Sequence, residues 1–166
     1  MNLCGYYRES INEGLGIRSV IFISGCRHRC KGCFNPESWN FELGEPFDER
    51  KQLEIINDIK HNPLVDGITF CGGDPFFSAS ELIPFVQQFR RECSTKNVWA
   101  YSGFTYEEIM ADEKMHELLT LCDVLVDGRF EEKQKDLTLA FRGSRNQRII
   151  DVTKSLAKEH IELVVC

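Results

Sequence analysis

Short apolar runs recur along the chain at intervals that suit strands separated by helices. They are rich in Val, Ile and Phe and lack the alternation of a half-exposed strand, so they predict strands that are buried on both faces, as in a parallel sheet. Six such strands are predicted, at residues 20–24, 67–71, 98–101, 124–127, 149–152 and 161–165.

Helical periodicity alternates with the first four of these runs. Residues 48–61 place Leu53, Ile56 and Ile59 at the spacing of one core-facing helix stripe. Two later segments open with a capping box, in which a Ser or Thr is followed three positions later by Glu. The boxes are Ser78 with Glu81 and Thr105 with Glu108, and the second helix is expected to be interrupted near Asp112.

The alternation of strands and helices predicts an α/β fold built from right-handed βαβ units. About six strands are too few for a closed eight-stranded barrel, so we expect an incomplete parallel (βα) barrel with an open side. Residues 131–148 are charged and poor in strand formers, and they are predicted to form a loop. The length suits a single domain that spans residues 1–166. In such folds the ligand site lies beyond the carboxyl ends of the strands.

The charge balance and hydropathy narrow the possible partners. With 26 acidic and 20 basic residues the net charge is -6, which argues against a broad nucleic-acid surface because phosphate binding needs clustered cations. No apolar run approaches the roughly 18 residues of a membrane span, and the first residues lack the features of a signal peptide. We therefore expect a cytoplasmic protein with no nucleic-acid partner and no membrane partner.

Three of the eight cysteines have the spacing of metal ligands. Cys26, Cys30 and Cys33 follow a predicted strand as CxxxCxxC, and three thiolates can hold three irons of a cubane cluster while one iron stays open. The alternative is a structural zinc site in a non-catalytic module, with His28 or Cys4 as the fourth ligand. The other cysteines show no such spacing and are expected to be small apolar side chains of the interior. They are Cys4, Cys71, Cys93, Cys122 and Cys166.

A second motif, Gly72-Gly73-Asp74-Pro75, follows the next predicted strand. Glycine lets a backbone approach a ligand closely, and the Asp74 carboxylate can accept from an ammonium group. The same residue types also favour an ordinary tight turn. The two motifs at neighbouring strand ends together favour a cluster over zinc.

These two motifs resemble the signatures of the radical S-adenosylmethionine enzymes. Further segments resemble, within that family, the group that activates anaerobic ribonucleoside-triphosphate reductase. They are Tyr-Ser-Gly-Phe at 101–104, Val-Asp-Gly-Arg-Phe at 126–130 and Arg-Gly-Ser-Arg-Asn-Gln-Arg at 142–148. The resemblance runs from about residue 2 to residue 148.

The resemblance implies an incomplete barrel, one 4Fe-4S cluster and S-adenosylmethionine as cofactors, and catalysis through the cluster held by Cys26, Cys30 and Cys33. One electron from the cluster would cleave S-adenosylmethionine to methionine and a 5'-deoxyadenosyl radical. That radical would take a hydrogen atom from a glycine Cα of the reductase, the expected protein partner, and a flavodoxin-type protein is the expected electron donor. An activase of another glycyl-radical enzyme, such as pyruvate formate-lyase, is the alternative.

The resemblance also implies roles for individual residues. The main chain of Gly32, Cys33 and Phe34 would hold the adenine, and the turn at Gly72, Gly73 and Asp74 would receive the methionine amino group. Two residues at strand ends, Ser102 and Asp127, would contact the ribose, the methionine carboxylate or a cation, and Arg129 would pair with that carboxylate. Turn residues of the types of Ser102 and Asp127 are often structural.

Two further groups of side chains are candidates for parts of the site. Aromatic residues after the cluster motif would keep water out, or they would pack in the ordinary interior. They are Phe34, Trp39, Phe41 and Phe47. A cationic cluster would dock the reductase, close the barrel or form a solvated loop. It consists of Arg142, Arg145 and Arg148.

Overall fold

A seven-stranded mixed sheet forms the centre of the computed structural model, which describes residues 1–166. The strands in chain order are β1 (Asn2–Ser10), β2 (Arg18–Ile23), β3 (Glu45–Pro46), β4 (Gly67–Gly72), β5 (Asn97–Tyr101), β6 (Val124–Asp127) and β7 (Arg148–Asp151). Their order across the sheet is β3-β1-β2-β4-β5-β6-β7.

The four central strands β2, β4, β5 and β6 are parallel, as their apolar runs predicted. β1 pairs with β2, β3 with β1, and β7 with β6 in antiparallel orientation. The prediction of a wholly parallel sheet of about six strands is therefore wrong at the edges, while the α/β class is confirmed.

Three differences explain this outcome. β7 was predicted within a parallel sheet, but the chain reaches it through a loop at the carboxyl edge and not through a crossover helix, which a parallel strand needs. Residues 161–165 form no strand, and only Leu163 makes a single bridge, to Ile150. β1 was not predicted because most of its residues are only half-buried or exposed, so it has no continuous apolar run.

Five α-helices connect and flank the strands. They are α1 (Glu49–Lys60), α2 (Ala79–Glu92), α3 (Tyr106–Met110), α4 (Glu113–Thr120) and α5 (Val152–Lys158). None of them is long and apolar enough to cross a membrane.

The helix starts test the predicted capping signals. The Thr105 and Glu108 box is formed at α3, and Asp112 caps α4, so the predicted interruption is confirmed. The prediction of a capping box at Ser78 is wrong. A 3₁₀ turn (Pro75–Ser78) runs directly into α2, which gives Ser78 a ψ of 27° and leaves its side chain without a cap hydrogen bond.

The sheet has unequal cores on its two faces. Helix side chains pack on one face in a cluster of 28 buried residues, which includes Ile56, Phe85 and Leu118. The opposite face carries a cluster of three buried residues, Trp99, Val126 and Ile149. Phe141 and Val164, from the loop before β7 and from the C-terminal tail, cover this smaller cluster.

Arg18 fastens the amino ends of the central strands. Its guanidinium is fully buried and donates to the carbonyl oxygens of Leu15 (3.0 Å) and Ile68 (2.8 Å) and to Thr69 Oγ1 (2.6 Å). The ring of Trp99 lies 5.3 Å away. Burial lowers the pKa of Arg18 to about 10, and the hydrogen bonds satisfy the charge without a carboxylate.

The packing of α1 predicts a contrast between two of its apolar residues. Ile56 is 2% exposed, whereas Leu53 is 39% exposed, contrary to the stripe expected from the sequence. Ile56→Ala should lower the free energy of unfolding by about 2–5 kcal/mol because it leaves a cavity. Leu53→Ala should cost less than about 1 kcal/mol. Urea unfolding of both variants measures this, and equal losses would contradict the observed packing.

Candidate active site

The carboxyl ends of the parallel strands surround one open cavity of about 200 Å³. Cys26, Cys30 and Cys33 line it together with the Gly72-Gly73 pair and Ser102. The prediction that the motifs meet at this edge is confirmed.

The loop after β2 carries the three cysteines, and its start is fixed by close backbone contacts. Gly25 has φ +105°, and a Cβ there would overlap the ring of Phe41. Its N–H donates to Ser38 O (2.7 Å), and the Cys26 N–H donates to Trp39 O (3.2 Å). At the other end, the Asn35 N–H points at Cys33 Sγ (3.4 Å), which is favourable for a thiolate. The loop therefore presents its sulfurs to the cavity from an anchored backbone.

Cys26 and Cys30 are thiols that a metal has to deprotonate. Burial raises the pKa of Cys26 to about 11 and also raises the pKa of Cys30. Metal binding to such groups releases protons and couples to the local structure. Three thiols of one loop that open into one cavity fit the 4Fe-4S cluster that the motif implies.

No three His, Cys, Asp or Glu side chains converge on a single metal ion, the three cysteines included, whereas a cubane cluster spreads three thiolates over three irons. The residues considered as a fourth zinc ligand are engaged elsewhere. Cys4 donates to the carbonyl of Phe22 (3.3 Å), and both ring nitrogens of His28 are engaged with Asp74 and Arg129. Neither residue completes a tetrahedral set with the three cysteines.

Gly72 and Gly73 bring the end of β4 against the cluster loop. Gly72 has φ +107°, and a Cβ there would lie 2.7 Å from the backbone of Ile23. A Cβ at Gly73 would overlap the carbonyl of Gly25. Both glycines line the cavity, so their missing side chains serve the approach of two backbone segments as well as access for a ligand.

Asp74 is 1% exposed and is not part of the cavity wall. Its carboxylate accepts from the N–H groups of Phe76 (2.9 Å) and Gly103 (2.8 Å), from Ser102 Oγ (2.9 Å) and from His28 Nε2 (2.8 Å). An ionised carboxylate has about four acceptor positions. Direct contact with a methionine ammonium stays a prediction and requires that one of these donors leaves.

The other predicted cofactor contacts divide into two groups. Ser102 lines the cavity, and Gly32 lies next to the cavity residue Cys33. Asp127 is 1% exposed and turns away, since its carboxylate accepts from the N–H of Tyr106 (2.7 Å) and pairs with Arg148. Arg129 is half-exposed and donates to His28 Nδ1 (3.1 Å). Asp127 and Arg129 are therefore bound to protein groups, and their contacts with a cofactor stay predictions.

Aromatic side chains cover part of the cavity. Phe34 and Trp39 line it, and Phe34 is 62% exposed with its ring 4.9 Å from that of Phe130. Phe41 packs over Gly25, beside the cavity. Phe47 is buried against Phe85 in the helix-side core, so its proposed role as a cover is wrong.

Several cavity residues were not singled out as site residues. Tyr101, Gly128 and Phe130 lie at strand ends within quoted motifs, and the strand-end rule alone would have found them. Gln147 lies within the quoted 142–148 motif but not at the carboxyl end of a strand. Its amide accepts from Gly143 N–H (2.9 Å) and donates to Gly128 O (2.9 Å), which ties the loop before β7 to the cavity.

Comparison with known proteins identifies the family of the chain. The model of the 4Fe-4S single cluster domain matches residues 12–150. A protein of Pasteurella multocida named anaerobic ribonucleoside-triphosphate reductase-activating protein is 41% identical over 157 residues, which cover 93% of this chain and 99% of the relative. The chain belongs to the family of anaerobic ribonucleoside-triphosphate reductase-activating proteins. Relatives of the same name from Haemophilus influenzae (41%, covering 90% and 97%) and Escherichia coli (37%, covering 89% and 96%) match over nearly the same length.

The placement of Asp127 distinguishes a structural role from a cofactor contact. Asp127→Asn should weaken the pair with Arg148 and lower the free energy of unfolding by about 1–3 kcal/mol, while S-adenosylmethionine affinity stays unchanged. The control is Glu107→Gln, which removes the exposed partner of the same arginine and should cost less than about 1 kcal/mol. Urea unfolding and an anaerobic ligand titration measure both effects. A loss of affinity at unchanged stability would place Asp127 in the cofactor site.

Proposed function

We propose that this protein is an activase that cleaves S-adenosylmethionine reductively at one 4Fe-4S cluster and generates a glycyl radical on anaerobic ribonucleoside-triphosphate reductase. The observation that carries the proposal is the shared cavity of the three cysteines and the Gly72-Gly73 turn. The names of the relatives support the reaction and the protein substrate.

Cys26, Cys30 and Cys33 hold the cluster. When bound, the cluster would supply one electron for cleavage of S-adenosylmethionine to methionine and a 5'-deoxyadenosyl radical, and transfer of a hydrogen atom from a glycine Cα would then leave 5'-deoxyadenosine and a glycyl radical. The chain orients the cofactor. The main chain of Gly32, Cys33 and Phe34 faces the adenine, and Gly72, Gly73 and Ser102 contact the methionine and ribose. The aromatic side chains of Phe34 and Trp39 keep water from the reacting atoms.

The sheet is the incomplete barrel of the radical S-adenosylmethionine fold. Support comes from the four parallel strands whose carboxyl ends meet at the cavity and from the covering of the inner face by loop and tail residues instead of helices. A second open cavity of about 460 Å³ adjoins the first. The two share Phe34, Cys71 and Tyr101 as walls, and together they form the route by which a glycine-bearing segment of the reductase enters.

The protein works in the cytoplasm with two protein partners, the reductase and a flavodoxin-type electron donor. Of the three arginines considered for docking, two are engaged within the chain. Arg142 donates to the Gln147 carbonyl (2.6 Å), and Arg148 pairs with Asp127 and Glu107, which raise its pKa further. Arg145 is exposed, so it is the arginine of this group that remains available to the reductase.

The cluster assignment predicts a sharp division among the cysteines. Changing Cys26, Cys30 or Cys33 to Ala should abolish formation of 5'-deoxyadenosine after anaerobic reconstitution with iron and sulfide, because each thiolate holds a different iron. Cys4→Ala and Cys71→Ala are the matched controls and should retain the cluster. Iron and sulfide content together with the 5'-deoxyadenosine yield decide the matter. Equal loss in a control variant would add a fourth ligand and contradict the model.

The docking assignment predicts a selective effect of Arg145→Ser. Cleavage of free S-adenosylmethionine should be normal, while glycyl radical formation on the reductase, followed by electron paramagnetic resonance, should slow about two- to fivefold at low salt. The difference should shrink at high salt because a rim charge is screened. Arg91→Ser, at the end of α2 on the helix face, is the control. Normal radical formation by Arg145→Ser would contradict the docking role and indicate an ordinary solvated loop.

A further inference from the structure

His28 lies between the first two cluster cysteines, and its surroundings differ from those of its neighbours. Arg27 and Arg29 are exposed, whereas the side chain of His28 is 4% exposed. The loop around it has no helix or strand from residue 24 to residue 35. A buried polar ring in such a loop needs partners, and those partners show what it does.

The hydrogen bonds of His28 fix the orientation of its ring. Arg129 Nε donates to His28 Nδ1 (3.1 Å), and an arginine nitrogen can only donate. Nδ1 is therefore the acceptor, so Nε2 carries the hydrogen and donates to Asp74 Oδ2 (2.8 Å). Each ring nitrogen has one defined partner.

Asp74 extends this contact to two other strand ends. It belongs to the turn after β4, and its carboxylate also accepts from Ser102 Oγ (2.9 Å) and the Gly103 N–H (2.8 Å) after β5. The ring of His28 is thereby connected, through one carboxylate, to the carboxyl ends of two parallel strands.

The packing around the ring forms a slot of matching shape. The rings of Phe104 and Phe77 lie 4.5 Å and 5.0 Å from it, centroid to centroid. A Cβ at Gly103 would overlap His28 Cδ2, so the glycine leaves the space that the imidazole fills. Hydrogen bonding and shape are independent observations, and both select this ring at this place.

We propose that His28 is a positioning residue, which sets the loop between Cys26 and Cys30 against the strand ends through its contact with Asp74. The proposal rests on the function proposed above and assigns Asp74 to the same task. Groups one step removed from metal ligands orient those ligands, and their loss typically costs roughly 10- to 100-fold in metal affinity. The contact, here called the His28–Asp74 clamp, therefore holds the thiolates in the arrangement that a cluster requires.

Two isosteric variants separate the partners of the ring. His28→Gln extends an amide N–H towards Asp74, whereas His28→Asn is too short to reach Asp74 and retains only the Arg129 side. After anaerobic reconstitution, cluster loss to an iron chelator is followed by the decay of its visible absorbance. His28→Asn and His28→Ala should lose the cluster roughly 10- to 100-fold faster than the wild type, and His28→Gln should stay within a few fold. His116→Ala, a half-buried histidine on α4, is the control and should match the wild type.

A double variant tests whether the two residues act as one unit. Asp74→Ala should be at least as labile to the chelator as His28→Ala, because Asp74 also accepts from Ser102 and Gly103. The combined variant should be no worse than Asp74→Ala alone, since the His28 contact is already lost there. If Asp74 instead only receives the methionine ammonium, Asp74→Ala will weaken S-adenosylmethionine binding with normal chelator resistance, and this result overturns the clamp. Wild-type resistance in both His28→Ala and His28→Asn overturns it as well.

The outcomes distinguish this proposal from the function on which it rests. Circular dichroism of the metal-free variants should match that of the wild type, and if His28→Ala does not fold, the Gln and Asn pair still gives the comparison. If the wild-type protein binds no 4Fe-4S cluster, both the proposed function and the proposed clamp are refuted. If the wild-type protein binds the cluster and cleaves S-adenosylmethionine, and the variants resist the chelator as well as the wild type does, only the proposed clamp is refuted.

Discussion

The site depends on a close backbone approach between the ends of β2 and β4. The N–H of Gly73 donates to Ile23 O (2.8 Å), and the N–H of Asp74 donates to Gly25 O (2.9 Å), so the parallel pairing continues past the last paired residues of both strands. A side chain at Gly73 would collide with the carbonyl of Gly25. Because this junction permits no Cβ, the loop with the cysteines and the turn with Asp74 have one relative position, and the cavity forms between them.

Much of the fold was predictable because burial on both faces leaves a clear trace in the sequence. β2, β4, β5 and β6 were found from continuous apolar runs, and local capping chemistry located α3 and α4. The antiparallel direction of β7 was not predicted, and β1 and β3 were missed, since strand pairing is not a local property. Most residues of β1 are half-buried or exposed. Residues 161–165 have the composition of a strand, yet Val165 is 95% exposed and Leu163 is 59% exposed. Tertiary pairing decides these cases, and composition does not.

The site itself was predictable as far as chemistry is carried by residue type and spacing. The cysteine spacing marked the loop that lines the cavity, and the strand-end rule brought Gly72, Gly73 and Ser102 to the same cavity. The hydrogen bonds of His28 and Asp74 were not predictable, since the two residues are 46 positions apart and each has several plausible partners. The predicted role of Phe47 as a cover was wrong for a related reason, since an aromatic residue near a motif packs wherever the fold provides space. Long-range partner choice is a property of the folded chain.

The unequal cores on the two faces of the sheet separate the molecule into a rigid part and a part that can open. The helix-side core holds 28 buried residues, while the other face is sealed by Phe141 and Val164 over only three. Lifting the loop before β7 exposes the smaller cluster and leaves the larger one intact, so the free energy of that local opening is a small fraction of the cost of global unfolding. In a chain built in this way, local opening of that loop leaves the strands next to the three cysteines folded.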